Sequence, residues 1–272
     1  VQTCALPILE TENVGNSIKI PLSASDEYIQ LFVDELEDDP TSLISLLFDE
    51  YVPPKYWIQI AIGYYTQKKY KQFLCIIDTI LKDENYDKFK NEYENKLILM
   101  NYRMAYKMKS NTLTSEEYKK YDLDSNPLIN WEGQSRSASA TAFALKCIYC
   151  LRTDDLKNAL AFMRHSLDRD RTCLLACIAT ALYFIQTRNY KNALNAYHMA
   201  IVSHPNCPAS IRVGIAYCFY QLGNYKKAFK AIDRALQLDP ACEEALAMKA
   251  SLLRSSPDLS PQDRVVASLQ VI

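Results

Sequence analysis

An all-α solenoid of antiparallel helix pairs, preceded by a short extended segment, is the fold class that this 272-residue sequence predicts. Three observations carry that prediction. The stretches TDDLKNALAFMRHSLDRDR (153–171), TRNYKNALNAYHMAIVSHP (187–205) and LGNYKKAFKAIDRALQLDP (222–240) align on Ala159, Ala193 and Ala228, at spacings of 34 and then 35 residues. A small residue recurs at 34 or 35 residues in the helix preceding each stretch and in the one after the last, at Cys147, Ala181, Ala216 and Ala250. Abundant Ala, Leu, Lys, Tyr and Asn with few Val favours helix over strand.

Self-similarity at this period is that of the tetratricopeptide helix–turn–helix, in which each unit buries its apolar face by stacking on its neighbours. The small residue of the first helix faces the small residue of the second, so the pair closes tightly. Larger apolar residues such as Phe184, Phe219 and Leu236 are expected to fill the layers between repeats. Pro205 and Pro240 end the second helices and open the turn into the next unit.

Taken in order, residues 1–16, beginning VQTCALPILE, show no pattern connected to the rest of the chain and are expected to be a disordered or artefactual tail. Residues 17–53 combine an extended segment, SIKIPL, with an acidic helix expected from ASDEYIQLFVDELEDDP, capped by Ser25. From Ile20 to Pro54 there are nine Asp and Glu and no Lys or Arg, which reads as a solvated helix face or as a docking surface for a basic partner. After Pro53 and Pro54, residues 54–139 read as degenerate tetratricopeptide-like helices. Trp57, Ile60, Ala61 and Tyr64 follow the W-x2-L-G-x2-Y signature with Ala for Gly, whereas Phe73 takes a small position, so this pair is expected to splay. Residues 92–109 form an amphipathic helix, followed by the polar linker TLTSEEYKKYDLDSNP. Regular repeats occupy 140–254, the last lacking its second helix, and 255–272 are expected to be a disordered or truncated tail.

Several function classes recede. Basic and acidic residues nearly balance, 31 against 32, so the electrostatic excess of a phosphate-gripping nucleic-acid binder is missing. Five scattered glycines form neither GxGxxG nor GxxxxGK[ST]. There is no HExxH, GxSxG or paired Cys–His signature, and the expectation is a protein without catalytic residues, cofactor or metal. Cys147-x2-Cys150 and Cys173-x3-Cys177 resemble zinc ligand pairs, but they lie in or beside repeat helices and read as core residues in a reducing compartment. His165, His198 and His204 are expected on helix surfaces or ends. The longest apolar run, CLLACIATALYFI (173–185), is short of the roughly 20 residues of a membrane helix and reads as a buried helix.

A solenoid offers instead a groove formed by its first helices. Its expected lining is Ile148 and Leu151 (with Ala144), Leu175, Ile178, Leu182 and Ile185, then Val213, Tyr217, Tyr220 and Gln221. This apolar, aromatic wall suits a partner helix or extended apolar segment, unless the same residues pack on neighbouring turns. The carboxylate clamp of chaperone-binding tetratricopeptide domains is not visible, because Ala144, Ile148, Ser210 and Gly214 stand at the corresponding positions.

Two stretches carry a family resemblance. SIKIPLSASDEYIQLFVDELEDD followed by YWIQIAIGYYTQKKYKQF, and HPNCPASIRVGIAYCFYQLGNYKKAFKAIDRALQLDP, resemble the large tetratricopeptide scaffold subunit (Cln-three-requiring-nine type) of the RNA polymerase II-associated factor complex. The similarity spans roughly 17–254, with the PNCPASIR turn as its most telling part, and residues 105–140 are shorter than the family pattern. It implies the N-terminal fragment of a nuclear, non-enzymatic scaffold that holds other subunits of that complex. Through them it would reach RNA polymerase II and support transcription elongation and transcription-coupled histone modification. Neither nucleic acid nor membrane is implied as a direct partner. The rival reading is a generic tetratricopeptide co-chaperone or assembly adaptor.

Overall fold

The computed structural model describes residues 15–22, 27–82, 93–121 and 136–255, with isolated positions 262, 266, 268 and 269. Of the tail expected at 1–16 all but Gly15 and Asn16, the Ser25 cap, the linker beyond residue 121 and nearly all of the tail expected at 255–272 lie outside the described residues. The described residues form an all-α tetratricopeptide solenoid fold with one two-stranded sheet at the N-terminal end. They divide into two compact units, with the boundary between Ala142 and Phe143.

The N-terminal unit begins with strands β1 (Ser17–Pro21) and β2 (Tyr28–Phe32), antiparallel, with Ile18 opposite Leu31 and Ile20 opposite Ile29. This corrects the expected acidic helix, part of which is a strand. YIQLF is built from β-favouring residues, and a period of two puts Ile29 and Leu31 beside the buried Ile18 and Ile20. A pairing partner across the hairpin outweighs the acidic residues that suggested a first helical turn. Helix comes later, as α1 (Thr41–Asp49).

Helices α2 (Pro54–Thr66) and α3 (Tyr70–Ile80) come next, with Pro54 in the first helical position, where its missing N–H costs nothing. Trp57 is fully buried and donates its indole N–H to the Val52 carbonyl at 3.0 Å. Phe73, in the small position, is also fully buried, in a ring cluster with Tyr65 at 5.4 Å and Tyr106 at 5.3 Å. The chain between the hairpin and α1 is held by side chains from α2, α3 and the turn between them. Gln67 donates to the Val33 carbonyl, Lys69 to Leu36 at 2.6 Å, Tyr64 to Glu37 at 3.0 Å and Gln72 to Asp38 at 2.8 Å.

Helix α4 (Tyr93–Lys109) precedes a second correction, because the expected polar linker contains a helix, α5 (Ser115–Lys120). Thr114 and Glu117 form a capping box: the Glu117 N–H donates to Thr114 Oγ1 at 3.2 Å and the Thr114 N–H to Glu117 Oε2 at 3.1 Å. Helix α6 (Arg136–Arg152) carries the boundary between the units, after Ala142.

In the second unit the pairs are α6 with α7 (Leu156–Arg169), α8 (Leu174–Gln186) with α9 (Tyr190–Ser203), and α10 (Ser210–Gln221) with α11 (Tyr225–Leu238). Helix α12 (Glu243–Ser255) comes after them. The small residues Cys147, Ala159, Ala181, Ala193, Ala216 and Ala228 are all 0% exposed, as close helix packing demands. Phe184, Phe219 and Leu236 are partly buried against the same cores.

Each pair turns the same way. Asp154, Arg188 and Gly223 adopt left-handed conformations, with φ of 57°, 58° and 73°. The next residue reaches back over the turn: Asp155 N–H to Cys150 O at 2.9 Å, Asn189 to Phe184 at 2.7 Å and Asn224 to Phe219 at 2.9 Å. Those same residues, Asp155, Asn189 and Asn224, then cap the second helix with their side chains.

Turns between repeats differ. Residues 170–173 and 239–242 connect their helices, whereas the longer 204–209 connects α9 to α10. Arg212 closes that longer turn, donating to the Cys207 carbonyl at 3.4 Å. His204 bridges to the preceding turn, its Nε2 lying 2.8 Å from the Thr172 carbonyl, and His165, His198 and His204 are all exposed. Among the described residues every thiol but the exposed Cys75 is a core group. Burial pushes Cys147 and Cys218 up to about 12 and Cys177 up to about 11, which keeps them protonated. Among the described residues no helix is long and apolar enough to cross a membrane.

Candidate functional site

The second unit contains a cavity of about 660 Å³, built from equivalent positions of successive repeats. Ile148, Leu182 and Tyr217 occupy one such column, spaced by the repeat length, and Leu151 and Ile185 a second. Arg152, Gln186 and Gln221 form a third, one residue further along the helices. Asp154 and Arg188, the left-handed turn residues, and Tyr190 at the start of α9 complete the lining. The repeat therefore places an apolar floor on the last turns of the first helices and a polar rim on the turns.

The rim is cross-linked between repeats. Gln186 Nε2 donates to the Leu151 carbonyl at 3.2 Å and to Asp154 Oδ1 at 2.7 Å. Tyr190 and Tyr217 meet edge to face, 6.3 Å apart. Burial raises the Tyr217 phenol and lowers the Arg152 guanidinium from their ordinary values, yet arginine stays charged at any physiological pH. Arg188 is exposed at the mouth. An apolar floor beside two guanidinium groups and one carboxylate is equipped to hold a chain segment, and it groups no nucleophile with a base.

Of the groove residues expected from sequence, Ile148, Leu151, Leu182, Ile185, Tyr217 and Gln221 come together in this cavity. Leu175, Ile178 and Val213 do not; they belong to the first half of their helices and are buried in the packing. Tyr220 turns aside, its hydroxyl 3.1 Å from Ser255 Oγ and its ring against Tyr225. Arg152, Asp154, Gln186, Arg188 and Tyr190 are the lining residues that sequence reasoning missed. A signal for two of them existed, since Arg152 and Gln186 stand one repeat length apart in the column that ends at Gln221.

A family model described as tetratricopeptide repeat matches residues 210–242, which cover α10 and α11. The chain is 29% identical over 205 residues to the protein CTR9 homolog of Arabidopsis thaliana, covering 74% of this chain and 19% of that protein. It is 28% identical over 218 residues to the RNA polymerase-associated protein CTR9 of Saccharomyces cerevisiae, covering 74% and 20%. The chain is similar to CTR9-type tetratricopeptide repeat proteins. A third relative, tetratricopeptide repeat protein 1 of Schizosaccharomyces pombe, is 26% identical over 216 residues, 77% of this chain and 21% of that protein. The chain thus spans about a fifth of the length of the curated relatives it matches. All of the six-residue turn at 204–209 but His204, and its Arg212 brace, lie in the PNCPASIR segment through which the sequence resembles these proteins.

Proposed function

We propose that this chain is part of a protein–protein interaction scaffold of the RNA polymerase II-associated factor complex. In that role it holds other subunits in the nucleus and supports transcription elongation and transcription-coupled histone modification. The observation that carries this reading is the cavity between successive repeats, in a chain similar to a protein whose name calls it RNA polymerase-associated. A leucine- and isoleucine-lined floor with a charged rim suits a helical or extended apolar segment that bears a carboxylate or amide at its edge. Ile148, Leu151, Leu182, Ile185, Tyr217 and Gln221 are the contacts proposed for that segment. Ile178 belongs to the core against which Leu182 and Ile185 pack.

The second reading is a generic adaptor that binds partner peptides. The guanidinium groups of Arg152 and Arg188 on the cavity wall favour it, as carboxylate-binding groups. Affinity purification of the chain separates the two readings: polymerase-associated subunits support the scaffold, and chaperone C-terminal tails support the adaptor. Tyr217→Glu places a charge on the cavity floor and is expected to lower partner capture by at least about tenfold with helicity unchanged. Undiminished capture by that variant removes the cavity from the proposal.

A further inference from the structure

We propose that the outer edge of β2 is a docking site for an extended segment of a partner protein, in which basic residues alternate with aliphatic ones, added as a third strand. The hairpin ladder fixes which groups face outward. Val33 N–H donates to Asn16 O at 3.0 Å and Leu22 N–H to Glu27 O at 3.1 Å, at the two ends of the paired segment. With Ile18 opposite Leu31 and Ile20 opposite Ile29, pairing alternates along the strand. Ile29 and Leu31 therefore bond to β1, while Tyr28, Gln30 and Phe32 turn their N–H and C=O groups to the free edge.

The two edges of this sheet are not alike. On β1 the outward positions are Ser17, Lys19 and Pro21, and a lysine plus a proline without an N–H discourage strand addition. On β2 there is no charge and no proline, and Tyr28 and Phe32 stand 55% and 46% exposed. One edge is protected and the other is open.

Charge and shape at the open edge define the occupant. A cavity of about 280 Å³ runs along β2, floored by Leu31, Leu36, Leu43 and Leu46 and flanked by Glu35 and Glu37. Among the described residues no cation pairs with either glutamate: Lys69 is committed to Asp38 at 2.8 Å, and Lys19 lies over the Tyr28 ring. No Lys or Arg occurs between Ile20 and Pro54. In an added strand, every second side chain falls on the leucine floor, and the intervening ones meet the glutamates. Aliphatic residues alternating with lysine or arginine satisfy both, and the side-chain tethers on the Val33–Asp38 carbonyls hold the wall in place beforehand.

The test uses the full chain and a fluorescein-labelled peptide of alternating lysine and valine, followed by fluorescence anisotropy. Three controls accompany it: a peptide with glutamate in place of lysine, a lysine peptide N-methylated on the pairing side, and the chain carrying Glu35→Gln with Glu37→Gln. The lysine peptide is expected to bind saturably, and each control to lose about tenfold or more in affinity. Gln30→Pro, which removes one outward N–H, is expected to do the same with an unchanged far-ultraviolet spectrum. Should that variant disturb the hairpin, the N-methylated peptide decides. No saturable binding below about 1 mM, equal binding of the glutamate peptide, or undiminished binding of the N-methylated peptide each overturns the proposal. So does a concentration-dependent dimer in sedimentation that Gln30→Pro abolishes, since the edge would then serve a second copy of the chain.

Discussion

The two units reach the same helical architecture by different means. In residues 143–255 the determinant is periodic: a fully buried small residue on each helix of a pair, a left-handed turn residue, and an Asp or Asn cap. In the N-terminal unit Phe73 replaces the small residue, and Lys69 stands where the cap belongs, with no capping side-chain bond. What substitutes for these features is specific: a ring cluster around Phe73, and side-chain donors to the backbone carbonyls of residues 33–38. Repetition gives stability by many equivalent contacts, while the irregular unit depends on a few directed ones. Damage should accordingly spread through the neighbours in the first case and stay local in the second.

The sharpest separation of the two is expected at alkaline pH. Burial raises Cys147 from 9.0 to about 12, so the folded state favours its protonated form. That contribution is complete below pH 9.0 and is lost as pH rises towards about 12, and Cys218 behaves alike. In the N-terminal unit Tyr64, raised from 10.0 to about 12, gives a loss of the same sign that begins later. Urea midpoints followed upward from neutral pH should fall first in the repeat unit, and Cys147→Ala should flatten that fall.

The two units also respond differently to one added methyl group. A Cβ on Gly214 would enter the ring of Tyr197, which is itself buried and has nowhere to go, so Gly214→Ala should cost about 1–3 kcal/mol. A Cβ on Gly63 meets only side-chain ends, a Leu36 methyl at 3.1 Å and Val33 methyls at 3.5 and 3.7 Å, so Gly63→Ala should stay within about 1 kcal/mol of neutral. Equal losses in thermal unfolding would break the contrast. Tyr64→Phe removes the donor to Glu37 O and should cost about 1–2 kcal/mol, with faster hydrogen exchange confined to the N-terminal unit. Asn224→Ala should cost about 1 kcal/mol through the lost cap of α11, visible as fraying of that helix in amide exchange.

The regular half was legible because its rule is periodic. Ala159, Ala193 and Ala228 announce a contact that any repeat of this type must make, and one-residue spacing irregularities point to the turns. The N-terminal strand was misread because YIQLF comes directly after Asp26 and Glu27, and only its partner SIKIP, across the chain, decides between strand and helix. Helix α5 was hidden in a polar segment whose Thr114-x-x-Glu117 capping signal is weak in isolation. The cavity was legible in its floor, where apolar residues recur on one helix face. Its rim was not, because turn residues such as Asp154 and Arg188 acquire their place only when adjacent repeats stack.

The left-handed turn residues set a conflict between folding and function. At Gly223 that conformation is free of side-chain strain, but Asp154 and Arg188 hold it with a Cβ, at a cost of about 1 kcal/mol each. Arg188→Gly should therefore raise the melting temperature while taking a cation from the rim of the cavity. A selection for thermal robustness alone would drive both positions towards glycine, erasing charges that a selection for partner recognition would keep.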